Sequence, residues 1–393
     1  MKKTVAVIGA GSSGISAIKV CKEEGIDVVC YEKTNRIGGL WNYAGGQNEG
    51  ATVMKSTVIN SHKEMSAFSD FPPPSHFPNY MHNSQVQQYF LMYAENFELL
   101  PHIRYNHDVV RVSKSSDYEE TGRWKVVFKI LPDEKEFEQI FDGFMLCNGH
   151  HACPRMPQFP GQSDFLGPVI HSQSLKVPDD FKDLNVLVVG IGNSGVDAAV
   201  ELSNVAKQLR LYLQRIQTAV FPFMKESILN STNNELELYK LTFSPDLQHP
   251  TLAVIGLVQV FGSHFPIEEA QSRWFAQLMN GKVVLPDRKE MKKEISRRRK
   301  AMDVRFVDSA RHTVEVDFIH FMDDITREYG ATPNMRKLLL TDPKLFFACL
   351  VGPGLPYQYR LNGPHSWPKA RETILNFPSR VEMPDDNCCC QME

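Results

Sequence analysis

The chain contains no apolar stretch approaching the roughly 20 residues that a membrane-spanning helix requires, so no transmembrane segment is expected. It also lacks a charge imbalance: 43 Lys and Arg stand against 46 Asp and Glu, a formal net charge of −3 that argues against a general nucleic-acid partner. The 8 cysteines (Cys21, Cys30, Cys147, Cys153, Cys349 and the run Cys388-Cys389-Cys390) show no metal-ligand spacing, and no secretory signal precedes them. Neither a metal site nor a disulfide scaffold is expected, and the usage fits a reducing compartment. Low-complexity tracts and short repeats are absent. Residues 381–393, which carry the cysteine triplet, read as a disordered tail, with lipidation as the alternative. The basic run Arg288 to Lys300 is interleaved with Glu290 and Glu294 at helical spacing, which makes it a solvated helix face rather than a membrane or nucleic-acid patch.

What is present is a pair of nucleotide-binding patterns in a chain large enough for two domains. The run Thr4-Val5-Ala6-Val7-Ile8 leads into Gly9-Ala10-Gly11-Ser12-Ser13-Gly14 and an amphipathic stretch, the order strand, phosphate loop, helix. Gly9 permits the tight turn, Gly11 lets backbone approach a diphosphate, and Gly14 lets the helix pack on the strand, with Ser13 in the helix start that favours an anion. The strand Asp27-Val28-Val29-Cys30-Tyr31 then delivers Glu32, whose carboxylate suits both ribose hydroxyls and would repel a 2′-phosphate. This unit reads as an FAD or NAD site.

The second unit runs Val186-Leu187-Val188-Val189, Gly190-Ile191-Gly192-Asn193-Ser194-Gly195, a helix to about Ala206, and a strand from Leu209 to Leu213. Here Leu213 stands where Glu32 stands in the first unit, and Arg215 follows two residues later, suited to the 2′-phosphate of NADP. Asn193 and Ser194 are placed for its diphosphate. Two strands are too few for a dinucleotide domain, yet the chain passes directly into Thr218-Ala219-Val220-Phe221-Pro222-Phe223. Pro250 to Gly256 and Gln271 to Ala276 read as a strand and a helix that rejoin the first domain. Between the units, a helix over Ser84 to Phe97 and strands near Val109–Val112 and Trp124–Phe128 are expected, with a linker at Pro154, Pro157 and Pro160.

The FAD-type loop with Gly38-Gly39-Leu40-Trp41, the segment Asn60-Ser61-His62-Lys63-Glu64-Met65 and the NADP-type loop together resemble the flavin-containing monooxygenases. Phe165 to Leu175 is similar to the family fingerprint Phe-x-Gly-xxx-His-xxx followed by Tyr or Phe, with His171 in place and Leu175 departing at the last position. Pro356-Tyr357-Gln358-Tyr359-Arg360-Leu361, Gly363-Pro364 and Trp367 extend the resemblance to about residue 380. It implies an α/β, two-dinucleotide (Rossmann-like) flavoprotein: residues 1–153 as the first part of the FAD domain, 154–216 as a shortened NADP domain, and 217–380 as the FAD-domain return.

The implied activity is an NADPH-dependent oxygenation of soft nitrogen or sulfur in small, xenobiotic-like amines or sulfides, of the N,N-dimethylaniline monooxygenase type. It uses dioxygen and a flavin C4a-hydroperoxide. The implied cofactor contacts are Gly39, Leu40, Trp41, Asn60 and Ser61 beside the flavin, with Asn60 also the catalytic amide; Trp41 suits a core aromatic equally, and Asn60 a buried structural amide. His171 is expected to hold the interdomain turn. In the family about 100 further residues separate the Arg-bearing strand end from the Thr218 segment. An alternatively spliced or incomplete form follows, and a catalytically silent one that binds FAD or a partner is the alternative. The resemblance also implies the cytosolic face of the endoplasmic reticulum, with peripheral membrane association, or the cytoplasm if an absent tail is the anchor. A disulfide reductase would need a cysteine pair near the first loop, which the sequence lacks, and a Baeyer-Villiger oxygenase a Trp at Leu175.

Overall fold

The computed structural model describes residues 2–43, 52–151, 154, 156–212, 223–224, 228–229, 231–232, 235–305 and 314–381. At its centre is a five-stranded sheet in the order β12-β7-β1-β2-β3, formed by β1 (Thr4–Ile8), β2 (Asp27–Tyr31), β3 (Ile103–Arg104), β7 (Gly143–Leu146) and β12 (Leu252–Val254). Every pairing in it is parallel. The apolar runs of β1 and β7 suit a sheet covered on both faces, and their side chains are almost fully buried. The expected strand at Pro250–Gly256 does rejoin the first unit, as β12 beside β7.

From β1 the chain winds one way through α1 (Ser12–Glu23) to β2 and β3, then returns as β7 on the other side of β1. That reversal opens a crevice at the carboxyl ends of β1 and β7, the usual ligand position in such sheets. One face is covered by a three-stranded antiparallel sheet of β4 (His107–Lys114), β5 (Trp124–Ile130) and β6 (Glu136–Phe141), with α3 (Tyr118–Thr121) in its first turn. Tyr31 meets Phe128 at 4.7 Å and Trp124 meets Phe144 edge-on at 4.9 Å across that junction. On the other face α1 packs beside α5 (Phe265–Met279). The helix α2 (Asn83–Asn96) begins one residue before the expected position because His82 and Gln85 close a capping box at its start.

The second unit is β8 (Asn185–Val189), α4 (Asn193–Ser203) and β9 (Gln208–Tyr212), a two-stranded parallel sheet on its own. Its helix stops before Ala206, since the chain turns at Asn204. Among the described residues little covers it: Leu187 is 59% and Val200 58% exposed, and α4 buries only Ala198 and Leu202, against Met54 and Leu175. The departing fingerprint residue Leu175 is thus a packing residue under α4. Leu213, Arg215, Thr218 to Pro222 and residues 382–393 lie outside the described residues.

After the short pair β10 (Ser231–Thr232) and β11 (Glu235–Leu236), the C-terminal part adds β13 (Gln259–Phe261) paired with β14 (Glu315–Asp317), and α6 (Arg288–Arg305). It continues through α7 (Phe318–Arg327), α8 (Met335–Thr341), α9 (Pro343–Val351), α10 (Ala370–Leu375) and α11 (Phe377–Val381). The basic face of α6 is paired with acids, Arg288 and Lys292 with Asp246 at 2.6 and 3.0 Å. A buried clamp ties this part to the first unit: Arg360 meets Glu269 at 2.7 Å, Asp70 at 3.0 Å and the Ser69 hydroxyl at 2.7 Å. Burial pushes the Asp70 carboxyl up, but Arg360 and Lys19 outweigh it and hold the group below its ordinary value.

Candidate dinucleotide sites

The first phosphate loop sits at the crevice mouth. Gly9 has φ 99°, and a Cβ there would lie 2.6 Å from the Cys147 carbonyl oxygen at the end of β7. At Gly14 a Cβ would lie 1.9 Å from the Gly9 oxygen, so the first turn of α1 closes on β1 only with glycine. Gly11 caps α1 without a side-chain partner and faces Gly39, whose Cβ would come within 3.2 Å of the Gly11 Cα. Gly38 N–H donates to Ala10 O at 2.9 Å and fixes the Gly38-Gly39-Leu40-Trp41 turn against the loop. The result is a backbone-walled cradle at a helix N-terminus, the form a diphosphate requires.

Glu32 closes this cradle from the end of β2. One carboxylate oxygen accepts the Ala10 N–H at 2.7 Å, and the other accepts the Thr34 N–H and hydroxyl at 2.8 and 2.7 Å. The structure therefore brings Gly9, Gly11, Gly14, Glu32 and Gly39 together, with Ser13 in the adjoining first turn of α1. Leu40 is exposed, while Trp41 is half-buried and packs edge-on to Phe265 at 6.4 Å, between cradle and α5.

The segment after Asn60 behaves differently. Asn60 is exposed, which overturns the buried structural amide as an account of it, and no hydrogen bond among the described residues joins it to the loop. Ser61 shares a hydrogen bond with Ser66 at 2.7 Å. Lys63 donates to Ser75 O at 2.7 Å and also to Phe77 O, and Glu64 accepts from Tyr357 at 2.6 Å and from Arg380 at 2.9 Å. Glu64 thus anchors the segment to the C-terminal part, and Lys63 anchors it to the loop that follows.

The second loop copies the first. Gly190 N–H donates to Tyr212 O at 2.9 Å, as Gly9 N–H donates to Tyr31 O at 2.9 Å, and Gly190 has φ 119°. A Cβ on Gly195 would lie 2.3 Å from Gly190 O, and Gly192 caps α4 without a side chain. Asn193 and Ser194 are exposed in the first turn. His171 accepts the Gln173 N–H at 3.1 Å, capping the turn between the units.

Four groups at the crevice escaped the sequence reading. Glu268, in the first turn of α5, is 6% exposed, and burial pushes its carboxyl up to about 7, with the Ser12 and Ser13 hydroxyls pulling the other way. His264 one turn earlier is lowered to about 4 by burial and by His151, and burial also holds His150 and His151 below the ordinary range. A shallow cleft lies here between the ends of β7 and β12, lined by Asn148, Gly149, His150 and Gly256 among others. Pro266 inside a helix start was the only available signal, and it marks the helix rather than the site.

The comparisons with known proteins agree with this geometry. The flavin-binding monooxygenase-like family model matches residues 2–217 and 214–385, two segments that meet at 214–217. Flavin-containing monooxygenase 5 of Rattus norvegicus is 36% identical over 499 residues, covering 98% of this chain and 93% of the relative. That alignment is about a hundred positions longer than the 393 residues here, so the relative carries about that many residues that this chain lacks. Flavin-containing monooxygenase 3 of Homo sapiens is 34% identical over 95% of this chain and 92% of its own length. The solved structure of S-allyl-L-cysteine S-oxygenase from Allium sativum, 23% identical, has the same fold with a TM-score of 0.77 over 95% of this chain and 99% of that one. The family match on both sides of residues 214–217, with the identity to these relatives over nearly the whole chain, establishes that the chain belongs to the flavin-binding monooxygenase-like family, the flavin-dependent oxidoreductases.

Proposed function

We propose that the chain is an NADPH-dependent flavin monooxygenase that transfers one oxygen atom to a soft nitrogen or sulfur of a small xenobiotic-like amine or sulfide. The observation that carries the reading is the pair of phosphate loops of one geometry that end differently, Glu32 closing the first and Leu213-Gln214-Arg215 following the second. Bound FAD would supply the activation of dioxygen that side chains cannot. Gly9, Gly11, Ser13 and Gly14 would hold its diphosphate, Glu32 its adenine ribose, and Gly39, Leu40, Trp41 and Ser61 would border the flavin. Asn60 would present an uncharged amide toward the reacting centre, with no competing proton. Gly190, Gly192, Asn193, Ser194 and Gly195 would receive the NADPH diphosphate and Arg215 its 2′-phosphate. In domain terms, 1–153 and 217–380 would form the flavin domain and 154–216 the NADP unit.

The test is anaerobic mixing of the flavin-loaded protein with NADPH, followed by air and a thioether or N,N-dimethylaniline. Bleaching of the flavin band and formation of an S-oxide or N-oxide support the reading. Bound flavin that NADPH leaves oxidised supports instead a silent form, and the uncovered two-stranded β8–β9 sheet is the observation that favours it. Peripheral association with the cytosolic face of the endoplasmic reticulum belongs to the same reading; no helix among the described residues is long and apolar enough to cross a membrane.

A further inference from the structure

We propose that Glu268 couples a proton to flavin binding: the dinucleotide enters beside it only when its carboxyl is the neutral acid, so that each FAD bound to the chain with Glu268 ionised takes up one proton from solvent. The inference rests on the reading of the Gly9–Gly14 cradle as the FAD diphosphate site.

The geometry is specific. Glu268 projects from the first turn of α5 to the first turn of α1, where Ser12 and Ser13 lie beside its carboxyl. A Cβ built on Gly256, at the end of β12, would lie 2.7 Å from Ser13 Oγ and 3.0 Å from Glu268 Oε1, so serine and carboxylate share one narrow space. The second oxygen, Oε2, is buried without a hydrogen-bond partner among the described residues. An orphaned carboxylate oxygen is costly to bury, whereas an acid O–H there is a donor awaiting an acceptor.

Among the described residues the surroundings do not supply a countercharge. On α5, His264 is held neutral by burial, and Glu269 is turned to Arg360 and Ser69. Cys147, at the end of β7, is a thiol raised well above its ordinary value by burial, by Cys30 and by Glu268 itself. His150, against His264, is also neutral, and β12 contributes only uncharged residues there. A diphosphate dianion at the N-terminus of α1 thus meets at Glu268 either a like charge or an O–H, and the like charge would weaken binding.

The sign follows from linkage. A neighbouring dianion raises the Glu268 carboxyl further, so binding favours the protonated state and loses affinity as pH rises past the value of the free protein. Between about pH 6 and pH 8.5 the Kd for FAD is expected to rise about tenfold or more, and FAD binding near pH 8 to take up close to one proton.

The test is calorimetric titration of FAD onto the full chain, freed of flavin by dialysis, in two buffers of different ionisation enthalpy. Wild type is expected to show the proton uptake and the pH-dependent Kd, and Glu268→Gln to bind FAD with neither. Ser13→Ala, which removes a hydroxyl that favours the ionised form, should move the midpoint to higher pH and guards against a misfolded Glu268 variant. FAD binding that takes up no proton, or equal uptake in Glu268→Gln, overturns the proposal and leaves the flavin site intact. Failure of the folded wild type to bind FAD at any pH overturns the site assignment and the proposal with it.

Discussion

The Glu32 carboxylate accepts the Ala10 N–H at 2.7 Å, so the residue proposed to hold the adenine ribose also props the phosphate loop. A hydrogen bond to a charged group contributes about 1.5–3 kcal/mol. Glu32→Ala is therefore expected to weaken FAD binding at least about tenfold, with the loss shared between the ribose contact and a loosened loop. The flavin-to-protein ratio after gel filtration measures it. Wild-type flavin content in Glu32→Ala would remove this residue from the site.

Gly14 and Gly195 offer a way to disable one loop at a time. The added methyl of Gly14→Ala would lie 1.9 Å from Gly9 O and that of Gly195→Ala 2.3 Å from Gly190 O, and both clashes are with backbone that cannot step aside. Gly14→Ala is expected to lose flavin and several degrees of melting temperature, as an overpacked site costs about 1–3 kcal/mol. Gly195→Ala should keep its flavin and lose NADPH-dependent bleaching. Parallel flavin-content and anaerobic reduction assays separate the two. Loss of flavin in Gly195→Ala would mean that the loops are not independent sites.

These loops were the most legible part of the sequence, because strand, turn and helix each leave a local mark. β1 and β2 fall at Thr4–Ile8 and Asp27–Tyr31 as read, and the helix expected at Ser84 begins at Asn83. Glu268 and the Arg360 clamp left no such mark: Arg360 reaches Ser69 across 291 positions and Glu269 across 91, and proximity of that kind comes from tertiary packing that no local pattern encodes. Asn60 was singled out by resemblance alone, and in the fold its side chain is exposed. Lys33, next to Glu32 in the chain, pairs with Asp108 at 3.2 Å.

Glu268 also predicts a pH dependence of the flavin-free fold. Its carboxyl ordinarily loses its proton near 4.5 and in the folded chain near 7. The unfolded chain therefore releases this proton first, and folding stability falls as pH rises from about 4.5 to about 7, by on the order of 3 kcal/mol. Glu268→Gln removes the ionisation. It is expected to melt above wild type near pH 8 and close to it near pH 5, by scanning calorimetry. A melting difference that does not change with pH would contradict the burial assigned to this group.

The clamp yields a stability prediction. Arg360 is fully buried, and the acids around it raise its guanidinium despite burial. Removing one partner of such a network leaves uncompensated charge, which costs about 3–5 kcal/mol. Arg360→Met should lower stability to urea by that amount, and Arg360→Met with Glu269→Gln should recover part of it, since Glu269 no longer needs a countercharge. Additive losses in the pair would show that the two side chains do not act together.

The uncovered second unit has a consequence in solution. Parallel sheets are ordinarily covered on both faces, yet Leu187 is 59%, Tyr212 59% and Leu211 44% exposed on β8 and β9. Unpaired strand edges and apolar faces of this kind promote association and dye binding. The full chain is expected to bind a hydrophobic dye and to associate with rising concentration, while Leu187→Lys with Leu211→Lys should reduce both and leave flavin content unchanged, because these side chains lie on a sheet separate from the one that carries Glu32. Sedimentation velocity across a concentration series, with dye fluorescence, measures the change. A wild-type chain that stays monomeric and dye-free throughout would mean that this sheet is covered in solution, and would favour the NADPH-competent reading over the silent one.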